Sequence, residues 1–97
     1  MKGSILMENI QSTDLFKVIG KNIKYYRSLY NLEKGKMTQE KLAELADVST
    51  ALIANVESDK INQGISVFTL WKISKALEIP VENLFNGIDK DNHSLRA

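Results

Sequence analysis

The chain has no cysteine, a single proline, a single histidine, and no apolar run approaching the 18 or more residues of a membrane span. Without cysteine, neither a disulfide framework nor a thiolate metal site can hold the fold, so a hydrophobic core must do so. The same absence fits the cytoplasm. His93 has no second histidine or cysteine to complete a metal site, so neither a metal nor another cofactor is expected. No serine stands with histidine and a carboxylate in a recognisable catalytic motif, and no glycine-rich phosphate loop follows a strand, so nothing marks an enzyme. Sustained period-two alternation is also missing, which leaves helices as the building elements.

What is present is one domain's worth of chain. Its 97 residues bury one modest core. Residues 1–13 read as a loose arm without the charged start, apolar run and cleavage site of a secretory signal, with Met7 as an alternative start. Residues 14–87 form the expected domain, and residues 88–97 a polar tail. The net charge is only +1, but it is polarised along the chain. Asp14 to Lys36 holds six basic and two acidic residues; Met37 to Glu57 holds one basic and four acidic; Ser58 to Leu77 sets Lys60, Lys72 and Lys75 against Asp59. This distribution permits a basic face of the kind nucleic acid needs, although a lysine-rich surface also serves solubility.

Five helical segments follow from periodicity and punctuation. The first runs from about Asp14 to Tyr30, with Phe16, Ile19, Ile23, Tyr26 and Tyr30 on one face. Lys17, Lys21 and Lys24 project away from that stripe as a solvated face, whereas Arg27 falls at its edge. Asn31 to Lys36 reads as a loop. Thr38 caps a short second helix whose buried side is Leu42, Ala43, Leu45 and Ala46, and Asp47 and Val48 make a tight connection. Ser49 caps a third helix through about Glu57, with Val48 and Ile53 stapling its start. Ile53, Val56 and Leu52 share one side of it; Thr50, Ala51, Ala54 and Asn55 point the other way. After a loop, Ser66 caps a fourth helix over Val67 to Leu77, with Val67, Leu70, Ile73 and Leu77 inward. Pro80 starts a fifth through Phe85, which Gly87 ends in a left-handed conformation. Trp71 and the tyrosines, at helical spacing, are core or edge residues rather than a base-stacking platform.

Two short helices joined by a tight turn, the second with a small polar outer face, describe a helix-turn-helix unit. The run Met37 to Ser49, followed by Ile53 and Val56-Glu57, resembles the phage-repressor (Xre, Cro/CI) helix-turn-helix family. Ile19-Gly20 with Ile23 and Arg27 is similar to that family's first helix, and Leu70 to Leu77 with Ile79-Pro80 and Asn83-Leu84-Phe85 to its fourth and fifth. The resemblance spans roughly Phe16 to Phe85 and implies an all-α, five-helix, lambda-repressor-like domain. Three departures stand out: longer loops at Asn31 to Lys36 and at Ile61 to Ile65, and Phe68 where the family has a polar residue.

The resemblance implies a transcriptional regulator that binds double-stranded DNA, with Thr50, Ala51 and Asn55 near base edges in the major groove. Gln39, Ser49, Lys60 and Asn62 are then phosphate contacts. Arg27 matches a family arginine that bonds the glutamate ending the third helix, here Glu57. A symmetric homodimer is expected, with Phe68, Leu84 and Phe85 as interface candidates. No small-molecule ligand or membrane partner is indicated. The other class kept open is an antitoxin that blocks a partner protein and autoregulates, against which the short tail argues; a third is an interaction module without DNA affinity.

Overall fold

In a computed structural model, the described residues are 12–87. Residues 1–11 of the expected arm 1–13 and the whole tail 88–97, His93 included, lie outside them, and residues 12 and 13 are the first of a helix rather than part of a loose arm. The described residues form four α-helices and one 3-10 turn, with no strand among them: α1 Ser12–Glu33, α2 Gln39–Ala46, α3 Thr50–Glu57, α4 Val67–Leu77, and the turn Val81–Phe85. None of these helices is long and apolar enough to cross a membrane.

α1 ends later than its periodicity suggests. No helix breaker stands at Asn31 to Glu33, so the helix runs on through them, and the Tyr30 carbonyl accepts from the amides of Lys34 and Gly35 at 2.8 and 3.2 Å. Gly35 then takes a φ of 125°, which only glycine adopts without strain. Asn31, expected in the loop, instead uses its Oδ1 to accept the Met37 amide hydrogen. This fold-back seats Met37 in the core at 1% exposure.

The short helices are held by their ends. The hydroxyls of Thr38, Ser49 and Ser66 accept from Lys41, Leu52 and Thr69 at 3.0, 3.0 and 3.1 Å, satisfying amides that the first helical turn leaves unpaired. At the other ends of α2 and α4, Asp47 and Glu78 adopt left-handed conformations and return their amides to carbonyls one turn back. The fifth element is a five-residue 3-10 turn rather than an α-helix. Its carbonyls are captured from outside: the Asn22 side chain donates to the carbonyls of Leu84 and Asn86, both at 2.8 Å. Gly87 follows at φ 95°.

The core is built from Ile19 and Ile23 of α1, Met37, Leu42 and Ala43 of α2, Ile53 and Val56 of α3, Leu70, Ile73 and Leu77 of α4, and Leu84. Two residues expected inward are outside. Leu45 is half exposed, because Leu42, Ala43 and Ala46 already fill the buried side of α2, and Val67 is 81% exposed, because α4 turns inward only from Leu70. α1 and α3 approach so closely at Gly20 that a Cβ there would stand 2.0 Å from the carbonyl oxygen of Val56.

Candidate nucleic-acid interface

The orientation of α3 rests on one polar network. Arg27 donates from Nε and Nη2 to the two carboxylate oxygens of Glu57 at 2.8 and 2.9 Å, and from Nη1 to the Met37 carbonyl at 3.1 Å. The Glu57 side chain is 2% exposed and that of Arg27 15%. The bidentate bond to Glu57 pushes the Arg27 pKa further above its ordinary value, against the opposing cost of burial. A third donor, Gln39 Nε2, reaches Glu57 Oε1 at 3.0 Å. One carboxylate therefore joins α1, the start of α2 and the end of α3.

With Ile53 and Val56 buried, the opposite side of α3 carries Thr50 and Ala51, both exposed, and Ala54 and Asn55, both half-buried. Because Gln39 touches Glu57, the first turn of α2 lies beside the last turn of α3, two residues beyond Asn55. Ser49, at the start of α3, is exposed but spends its hydroxyl on the Leu52 amide. Gln39 is not a free solvated amide either, since one of its hydrogens is committed to Glu57.

The loop after α3 brings Lys60 and Asn62 to the surface, both exposed. It is tied back at several points. Lys17 donates to the Asp59 carbonyl at 3.0 Å, so it does more than solvate α1. The Ser58 hydroxyl accepts the Lys60 amide at 3.2 Å. Gln63 does what its sequence position does not announce. Its Nε2 donates to the Gly64 carbonyl at 2.9 Å, and its Oε1 accepts from Nδ2 of the half-buried Asn55 at 3.4 Å. The only hint in the sequence is an amide residue in a lengthened loop.

The three interface candidates separate. Leu84 is fully buried in the core and cannot meet a second chain, because the inner side of the 3-10 turn packs it beneath α1 and α4. Phe85 is 39% exposed. Phe68 is 64% exposed and stacks on Trp71, with ring centroids 6.4 Å apart. Lys72 and Lys75 lie over these two rings at 4.6 and 5.4 Å, and Lys72 also donates to the Asp47 carbonyl in the turn between α2 and α3. The result is an aromatic ledge along α4.

At the far end of α1, Glu78 accepts from Lys34 Nζ at 3.0 Å and from the Tyr30 hydroxyl at 3.2 Å. The bond from the Lys34 ammonium lowers the Glu78 carboxyl below its usual range. The open hollow beside this pair, lined by Tyr26, Leu29 and Leu77, is about 140 Å³, below the volumes typical of ligand sites. No cluster of three or more His, Cys, Asp or Glu side chains that could hold a metal occurs among the described residues.

Residues 27–84 match the family model described as helix-turn-helix. None of the curated proteins matches the chain. The matched stretch begins at the arginine of the polar network and takes in α2, α3, α4 and most of the 3-10 turn.

Proposed function

Since the chain belongs to the helix-turn-helix family of phage-repressor-like DNA-binding regulators, we propose that it represses transcription in the cytoplasm by reading a two-fold operator with α3 in the major groove. The observation that carries this is the division of α3: Ile53 and Val56 are buried, Thr50 and Ala51 are exposed, and the Arg27–Glu57 pair fixes the helix axis. Short outward side chains let a helix approach base edges closely.

In this reading Thr50, Ala51 and Asn55 meet bases. Asn55 reads adenine through its amide, and Ala51 touches a thymine methyl. Gln39, Ser49, Lys60 and Asn62 meet phosphates. For Gln39 and Ser49 the support is position at the starts of α2 and α3, where unpaired amides and the helix dipole attract an anion. For Lys60 it is an exposed ammonium in the loop leaving α3.

Sequences recovered from random duplex DNA give the preferred site, and binding is then measured across several salt concentrations. Asn55→Ala is expected to cost about 1 to 3 kcal/mol on the preferred site and little on a duplex altered at that base pair. Lys60→Ala should weaken all duplexes alike and lower the salt slope by about one unit. Recovery of no common sequence would reject the reading, and exchanged behaviour of the two variants would reject the roles.

One observation favours a second reading, in which the chain also blocks a partner protein as an antitoxin. Val67, Phe68 and Trp71 are 81%, 64% and 49% exposed along α4, with the two rings stacked, and an exposed apolar patch of this kind suits a protein contact. Co-purification of a stoichiometric partner lost in Phe68→Ala would favour it; a pure preparation with full DNA affinity would not.

A further inference from the structure

We propose that Gln63 is a specificity-determining residue, which acts by fixing the amide of Asn55 so that only one donor–acceptor edge faces the base. The proposal rests on the assignment of α3 as the reading helix.

A side-chain amide ordinarily has two nearly equivalent orientations, because its terminal torsion is broad and roughly two-fold. The Asn55–Gln63 pair removes that freedom in a definite order. The Gly64 carbonyl can only accept, so Gln63 must give it the amino group, at 2.9 Å, and turn its own oxygen the other way. That oxygen can only accept, so Asn55 must turn its Nδ2 toward Gln63, at 3.4 Å. One of the two Nδ2 hydrogens of Asn55 is then engaged. With the hydrogen anti to Oδ1 given to Gln63, the syn hydrogen and Oδ1 form the donor–acceptor edge that adenine N7 and N6 require. In the flipped orientation the two oxygens would face each other, and the edge offered to the base would be reversed.

The loop that carries Gln63 is itself positioned. A Cβ on Gly64 would stand 3.7 Å from the ring of Phe16, so the backbone there runs close over α1, and Lys17 holds the Asp59 carbonyl four residues before Gln63. At 3.4 Å the Asn55–Gln63 contact is longer than an ordinary N–H···O bond, about 2.7 to 3.2 Å, and contributes little to folding. Its effect is preorganisation, because an amide already oriented loses less freedom on binding DNA. Gln63 is thus a positioning residue, whose influence passes through Asn55.

The test is a double-mutant cycle on the full chain with Gln63→Ala, Asn55→Ala and the double variant. Each is measured on the selected duplex and on one altered at the base pair that Asn55→Ala desensitises. Gln63→Ala should lower the ratio of the two affinities by about threefold to tenfold, the scale of one hydrogen bond, while affinity for the altered duplex and the melting temperature stay unchanged. It should have no further effect once Asn55 is alanine. Gln63→Met, equal in length without the amide, should behave like alanine. An unchanged ratio overturns the proposal, as does equal weakening on both duplexes or a loss that persists in the Asn55→Ala background. If the parent protein shows no base preference at all, the assignment of α3 fails, which is a separate result.

Discussion

Glu57 accepts hydrogen bonds from two residues on two other helices, yet its side chain is all but excluded from water. Such a carboxylate is tolerated only while its partners are present. Arg27→Ala should therefore cost about 3 to 5 kcal/mol, read as a lowered denaturation midpoint, because the charge left behind keeps only Gln39. Arg27→Lys preserves the charge but not the fork, and should lose about half as much. If Arg27→Ala melts like the parent while DNA affinity falls, the arginine serves the ligand and not the fold. Gly20 presents the opposite constraint, of space. An added methyl would meet the Val56 carbonyl at 2.0 Å, and helix backbone yields little. Gly20→Ala should destabilise by about 3 kcal/mol even though alanine favours helix by about 1 kcal/mol at an ordinary position. A neutral result in urea unfolding would mean that α1 and α3 can part without loss.

At the scale of the element, α2 and α4 both end on a non-glycine residue with positive φ, Asp47 at 56° and Glu78 at 60°. Such a conformation strains an L-residue by about 1 kcal/mol, and glycine relieves it. Asp47→Gly should raise stability by about 0.5 to 1 kcal/mol, since the fold uses only the Asp47 backbone, its amide donating to the carbonyls of Ala43 and Glu44 and its carbonyl accepting from Lys72, which glycine keeps. Glu78→Gly should gain less, because the side chain that accepts from Lys34 and Tyr30 goes with it. Equal gains in thermal unfolding would show that those exposed contacts contribute nothing. The caps also explain what the sequence made legible. Thr38, Ser49 and Ser66 mark helix starts by chemistry that acts within three residues, so α2, α3 and α4 could be bounded from local pattern. The C-terminal end of α1 could not be, because the Asn31 side chain accepts from the Met37 amide and the helix has no strong stop before Gly35. Burial was misread where an apolar residue lies beside a face already filled, as at Leu45 and Val67. At the interface, Arg27 with Glu57 was readable through family resemblance. Gln63 was not, since its bond to Asn55 depends on the path of a loop that no periodicity describes.

For the whole molecule, α3 is eight residues long, about 12 Å, and three or four side chains of such a helix reach bases. A single copy reads too few base pairs for a regulator, so a symmetric pair is expected on DNA, with half-sites about 34 Å apart on one side of the duplex. Phe68 and Phe85 are the candidates the fold leaves at the surface, after Leu84 is taken by the core. Phe68→Glu or Phe85→Glu should shift sedimentation toward monomer and weaken operator binding, whichever face is used, while circular dichroism stays unchanged. A monomer both free at high concentration and on its operator would remove the dimer.

The two sides of α3 have a consequence for descent. Ile53 and Val56 answer to the core, whereas Thr50, Ala51 and Ala54 have no side-chain hydrogen bond that the fold depends on. If α3 reads an operator as proposed, lineages of this chain can exchange the outward residues and move to new operators without first rebuilding the protein. Position 55 is the exception, because its amide is tied to that of Gln63. Replacement there should be accompanied by change at 63, so that drift in operator preference leaves a paired signature in two places eight residues apart.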